Sequence, residues 1–158
     1  MICAIDPGYT GAIAWVSTDG ILIDVVDMPV EKFGGKTRIV AAELVYLLNL
    51  RWSSIDYVII ERVGARPGQG VTSMFNFGFG AGLIEGVCAG VRLPFEYVTP
   101  QTWKRQLGVS ADKGACRAMA RELWPGAASK FARVKDDGRA DAALLGRWAC
   151  LNGLPSDS

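Results

Sequence analysis

The sequence predicts an α/β protein, a mixed sheet with helices on its faces, and three observations carry that reading. Short apolar runs bounded by turn residues fill the beginning of the chain. A continuously apolar run, residues 57–60, stands alone further on, the pattern of a strand buried on both faces. Helical spacing then dominates, interrupted by one more strand-like segment at residues 95–98. Strands followed by alternating helices and strands suit a sheet covered on its faces by helices.

The elements follow in order. Residues 2–5 and 11–16 are apolar runs closed by Asp6-Pro7-Gly8 and Thr18-Asp19-Gly20, and the second boundary is a hairpin-turn signal. A third strand at residues 21–26 completes an antiparallel meander. Residues 38–50 place Ile39, Ala42, Leu44 or Val45, and Leu48 at helical spacing, which predicts a helix leading into the apolar strand 57–60. That strand is expected to lie parallel to the first. A glycine-rich stretch, 64–70, precedes a helix predicted from about residue 73 to residue 90. Gly78, Gly82 and Gly86 recur there at four-residue spacing and predict a small-residue groove on one helix face. Thr99-Pro100 after strand 95–98 is a helix start, because proline is pre-set for the first helical position. Two short basic helices and a final helix over residues 137–151 complete the chain.

Length and composition bound the rest. A chain of 158 residues, 50% hydrophobic and without repeats, is expected to form one domain over 1–158. Its apolar stretches are too short or too glycine-rich for a membrane span of roughly 20 residues. The start lacks the basic and small-residue features of a secretory signal, so the expectation is a cytosolic protein. Cys3, Cys88, Cys116 and Cys150 are widely spaced and there is no histidine, so neither a zinc cluster nor a disulfide framework has support. The net charge of +1 conceals segregation. Lys104, Arg105, Lys113, Arg117, Arg121, Lys130, Arg133 and Lys135 are opposed only by Asp112 and Glu122, a balance that suits a polyanion surface or a solvated helix face.

The chemistry is expected among the carboxylates. Asp6 ends the first strand beside a tight turn, and Glu61 closes the apolar run Tyr57-Val58-Ile59-Ile60, where an acid is costly unless paired or metal-bound. Asp137 and Asp141, four apart, share one face of the last helix. Taken singly, Asp6 also reads as a turn former, Glu61 as an edge charge and the aspartates as a capping pair. Taken together they predict a cluster that a cation must neutralise. Magnesium suits oxygen donors, with manganese an alternative, and two ions about 4 Å apart serve phosphodiester cleavage.

Ala4-Ile5-Asp6-Pro7-Gly8, Ile59-Ile60-Glu61 and the segment from Asp136 to Leu145 (Asp-Asp-Gly-Arg-Ala-Asp-Ala-Ala-Leu-Leu) resemble the RuvC family of Holliday junction resolvases, especially its short phage members. The segments Ser73-Met74-Phe75-Asn76-Phe77-Gly78 and Thr99-Pro100-Gln101-Thr102-Trp103-Lys104 also look like family pieces. The resemblance spans nearly the whole chain. It implies an RNase H-like fold with a mixed five-stranded sheet flanked by helices, a homodimer in a bacterial or phage-infected cell, and paired nicks across a four-way DNA junction that leave 5'-phosphates. It implies Asp6, Glu61 and Asp141 as catalytic metal ligands, with Asp137 as the fourth acid and Asp136 the alternative, and the expected occupants are two Mg2+ ions per site, with Mn2+ the alternative. In many members the last two acids are three apart; here that earlier position is Gly138. Some members place a histidine near the metals, and this chain has none.

The resemblance aligns Lys104 and Lys113 with basic residues around the scissile phosphate, Lys113 among the catalytic set. Arg117 and Arg121 share helical spacing with Lys113 and would extend a backbone-tracking stripe. Arg66, in the glycine-rich loop, falls where the family reaches the junction centre. Phe75, Phe77 and Phe79 suit core packing or a subunit contact, with base stacking the alternative. Three other functions compete with a junction resolvase: a broader fork or flap nuclease, a phosphate-binding loop of the sugar kinase, Hsp70 and actin type at Asp6–Gly11, and a junction-binding module without catalysis. The second needs two such domains to enclose its nucleotide, and one is expected here.

Overall fold

The computed structural model describes residues 1–62, 64 and 70–153. Strands β1 (Ile2–Asp6), β2 (Ala12–Val16) and β3 (Leu22–Asp27) form the predicted antiparallel meander. A small hairpin follows, β4 (Val30–Phe33) and β5 (Lys36–Ile39), paired only with each other. Helix α1 (Ala41–Asn49) leads to β6 (Tyr57–Glu61), and α2 (Val71–Gly90) to β7 (Phe95–Val98). Helices α3 (Pro100–Leu107), α4 (Ala115–Leu123) and α5 (Asp137–Asn152) complete the order.

The five-stranded sheet runs β3-β2-β1-β6-β7, with β6 parallel to β1 and β7 parallel to β6. The mixed sheet flanked by helices is therefore as the sequence predicts. One element differs. Residues 38 and 39, predicted to open the first helix, belong to β5, because Ile39 is drawn into the core by the hairpin while Val40 N–H bonds Pro29 O at 2.9 Å. The helix starts only at Ala41.

Each sheet face has its own core. Ile2, Ala4, Ala12, Ala14, Tyr57 and Ile59 pack under α5 with Trp103 and Phe131. Cys3, Ile5, Ile13, Trp15, Val58 and Ile60 pack under α1 and α2 with Leu44, Leu48 and Ile84. This alternation is the period-2 pattern of a sheet covered on both sides. Removing these largely apolar side chains from water is the dominant stabilising term. Helix α3 begins as predicted: Pro100 occupies its first turn, Thr99 Oγ1 accepts the Thr102 N–H at 3.3 Å, and Gly108 ends it with a left-handed φ of 70°. Cys3 and Cys88 are buried, and all four cysteines are free thiols. Among the described residues, no helix is long and apolar enough to cross a membrane.

Candidate active site

Topology gathers the acids at one edge. Strands β1, β6 and β7 run in the same direction, and β3 does too, being antiparallel to β2, so Asp6, Glu61 and Asp27 all leave the sheet at its carboxy-terminal edge. Ile5 is in register with Ile60, which makes Asp6 and Glu61 neighbours. Strand alternation puts both on the face that carries Ala4 and Ile59, towards α5. Helix α5 carries Asp141 on its second turn and Asp137 at its start.

Two glycines set how closely these pieces meet. A methyl group on Gly11 would lie 2.1 Å from the Asp6 carbonyl oxygen, and one on Gly138 would lie 2.3 Å from Thr10 O and 2.9 Å from Gly11 Cα. The start of α5 therefore packs backbone to backbone on the turn that follows Asp6. The departure of Gly138 from the family's acidic spacing has its physical reason here, since no side chain fits at that position.

The charges are unevenly balanced. Burial first, then the negative charge of Glu61, and further that of Asp141, push the Asp6 carboxyl up to about 7, against the Gly8 N–H and Lys104. That N–H lies 3.4 Å from Asp6 Oδ1. Glu61 is buried and accepts a hydrogen bond from Trp103 Nε1 at 2.9 Å. Asp141 Oδ2 accepts from Lys104 Nζ at 2.9 Å, and Asp137 Oδ1 accepts from Arg117 Nε at 2.6 Å. Burial opposes the charge on Lys104, but Asp141 outweighs it and holds the ammonium above its usual pKa. Cys116, raised to about 12 by burial and Asp141, is an unreactive thiol beside the acids.

Asp136 is not part of this cluster. It is 1% exposed, and its carboxylate takes the Arg133 backbone N–H at 2.8 Å and the Arg133 guanidinium at 2.8 Å, a local cap before α5. Asp137, the preferred fourth acid, instead lines a cleft of about 280 Å³ with Asp141, Lys104, Lys113 and Cys116. A second cleft of about 470 Å³ lies between the Pro7–Tyr9 turn and the first turns of α2, lined by Thr72, Asn76 and Phe77.

Other predicted residues divide. Lys113 stands exposed in the cleft with the aspartates. Arg121 is exposed on α4, whereas Arg117 turns inward to Asp137, so the stripe along that helix is interrupted. Arg66 lies outside the described residues. Phe75 and Phe79 are 70% and 58% exposed, which removes core packing as their role within this chain, while Phe77 is half-buried against the second cleft. Gly78, Gly82 and Gly86 face open space, as the predicted groove requires. Among the described residues no three Asp, Glu, Cys or His groups stand close enough together to hold a metal ion as they are placed. Their donor chemistry nevertheless fits a hard cation: oxygen ligands only, with one carboxyl held up by burial and by the negative charges of Glu61 and Asp141. Trp103, in the Thr99–Lys104 motif, is a further residue of the site; its place one residue before Lys104, in a helix that follows the strand beside β6, is the signal that it faces Glu61.

No protein-family model matches the chain. It is 32% identical over 101 residues, 63% of its length, to the chloroplastic Holliday junction resolvase MOC1 of Chlamydomonas reinhardtii. The match covers 12% of that protein, so the chain spans about an eighth of that relative's length. Two solved structures of Thermus thermophilus RuvC share its fold. RuvC in complex with a Holliday junction substrate matches with a TM-score of 0.64 at 17% identity, covering 96% of this chain and 95% of that one. A second RuvC structure matches with a TM-score of 0.56 at 17% identity, covering 93% and 91%. The fold is that of RuvC, the RNase H-like arrangement the resemblance implied.

Proposed function

We propose that this chain is an endonuclease that resolves four-way DNA junctions by paired, metal-dependent hydrolysis of phosphodiesters. The observation that carries the reading is the convergence of Asp6, Glu61 and Asp141, from two strand ends and a late helix, beside a cleft that also presents Lys104 and Lys113. The RuvC fold and the sequence likeness to a junction resolvase support it.

Asp6, Glu61 and Asp141 are the proposed ligands of Mg2+ or Mn2+, with Asp137 beside them. A bound divalent cation supplies charge for the phosphate and activates water. The protein's own groups prepare this. Trp103 holds one oxygen of Glu61 and leaves the carboxylate in a fixed orientation. Lys104 and Arg117 balance Asp141 and Asp137. Lys104, which lines the same cleft, would stand beside the phosphate of the strand to be cut. Lys113, at the cleft rim, fixes a second phosphate without reading a base. A two-fold partner supplies the second cut. The exposed face of α2, with Phe75, Gly78, Phe79, Gly82 and Gly86, is the surface proposed for a second copy of this chain.

The test is cleavage of an immobile four-way junction, a linear duplex and a three-way fork, each with magnesium, manganese or chelator. Paired metal-dependent nicks confined to the four-way junction are the expected result. Equal cutting of the fork would show a general debranching nuclease, and binding without cutting under every condition would overturn the catalytic assignment.

A further inference from the structure

Resting on the reading of the chain as a junction nuclease, we propose that the β4–β5 hairpin is a DNA finger that grips the backbone of a duplex arm beside the carboxylate edge. The hairpin is weakly supported as a piece of core. All four residues of β4 are exposed, and of β5 only Ile39 is buried. A two-stranded hairpin gains little stability alone, so one held out in solvent needs another reason for its residues.

Its position supplies the first argument. Strand β3 ends at the same sheet edge as Asp6 and Glu61, and the hairpin leaves from there. Its root is fixed to the site from three sides. Met28 N–H bonds Gly11 O at 2.9 Å, Ile39 Cδ1 lies 3.3 Å from where a methyl group on Gly80 would stand, and Arg139 on α5 clasps Asp27 through Nε at 2.5 Å and Nη2 at 2.7 Å. Four residues of strand carry the tip roughly 13 Å beyond that root, a reach comparable to a few phosphates along a duplex arm.

Charge and stacking give the second. Lys32, Lys36 and Arg38 face one carboxylate, Glu31. Arg38 Nη2 bonds Glu31 at 2.6 Å, which cancels that pair, while Lys32 Nζ has a neutral partner, Thr37 Oγ1 at 2.8 Å. Both lysines thus keep their charge for a polyanion. Phe33 is 63% exposed next to the Gly34-Gly35 turn, with the Arg38 guanidinium 3.9 Å over its ring. A protein partner that paired with the free strand edges would need an apolar face, and the hairpin exposes only Val30 and Phe33, one on each of its faces. The pairing of Phe33 with Lys36 and of Lys32 with Thr37 puts Lys36 on the face of the ring and Lys32 on the opposite one, so an ammonium group stands on each side of the hairpin tip, and a phosphate backbone with sugars matches that arrangement.

The experiment measures binding by the full chain carrying Asp6→Asn, to prevent cutting, to a four-way junction and to a linear duplex of the same arm sequence, from about 50 to 200 mM salt. The hairpin variants are Lys32→Ala/Lys36→Ala, Lys32→Arg/Lys36→Arg and Phe33→Ala. The double alanine variant is expected to lower the slope of log affinity against log salt by about 2 on either DNA, since each lost phosphate contact removes about 0.9. The double arginine variant is expected to restore it, and Phe33→Ala to weaken binding about threefold to tenfold with the slope unchanged. Shortening the junction arms should erase the difference between parent and double alanine variant. An unchanged slope in that variant, with the parent still binding junctions, overturns the finger and leaves the nuclease reading intact. A reduced slope in the double alanine variant, with a parent that prefers no branch and, without Asp6→Asn, cuts none, keeps the finger and overturns the nuclease reading. A parent that binds neither DNA overturns both.

Discussion

Asp6→Asn should make the metal-free protein more stable, with a pH dependence of definite sign. A carboxyl held at about 7 in the fold and near 3.8 in the unfolded chain costs the fold stability as it ionises. The contribution is favourable or neutral below the unfolded value, falls away as the pH rises towards 7, and is a full penalty above it. The difference corresponds to about 4 kcal/mol, and water at the rim of the site screens this to about 2–4 kcal/mol at pH 8. Asparagine keeps the size and the acceptor for Gly8 N–H but not the charge. Urea unfolding in chelator at pH 8 and pH 5 should therefore show the variant more stable than the parent at pH 8, and the gap narrowing to about 1–2 kcal/mol at pH 5. Added magnesium should stabilise the parent and close the gap from the other side. A gap that is constant with pH, or a variant less stable than the parent at pH 8, would refute the claim that burial and the charges of Glu61 and Asp141 hold the Asp6 carboxyl up.

Three further perturbations test the surrounding parts. Gly138→Ala drives a methyl group to 2.3 Å from Thr10 O and should cost roughly 2–4 kcal/mol in thermal unfolding while abolishing cleavage; an unchanged melting temperature would contradict the backbone contact. Trp103→Phe removes the donor to Glu61 inside the core and should lower stability by about 1–3 kcal/mol and metal affinity about tenfold or more, read by titration calorimetry. Lys113→Ala should reduce cutting and flatten the salt slope of junction binding by about 1, and an unaltered slope would remove Lys113 from the phosphate contacts.

The sheet was legible because its strands are apolar where two helical layers cover them, so residues 57–60 and the first two strands declare themselves by composition alone. The β4–β5 hairpin was not legible for the opposite reason. It buries little beyond Ile39, and without a core face there is no hydrophobic period to read. Ile39 alone fits a helical register as well as a strand, which pulled the predicted helix start too early. In the site, Asp6 and Glu61 could be placed because strand ends are visible in sequence. Asp136 and Asp137 could not be told apart, since adjacent carboxylates have the same spacing to Asp141 within one residue; both are bonded to an arginine, and what differs is that Asp136 is buried while Asp137 lines the cleft. The pairs Lys104–Asp141, Arg117–Asp137 and Trp103–Glu61 join residues 37, 20 and 42 apart, distances at which no local pattern survives.

The bond from Trp103 to Glu61 has an optical consequence. An indole whose N–H points at a carboxylate oxygen 2.9 Å away, in a fully buried setting, with the Lys104 ammonium 4.9 Å from its ring, emits in an electric field set by those two charges. Any event that alters either charge, whether a proton, a cation or a phosphate arriving at the edge of the sheet, changes the field at the ring. The site thus contains its own chromophore, and steady-state emission of the unlabelled protein follows its occupancy in real time. Trp103→Phe supplies the blank that separates this signal from the other four tryptophans.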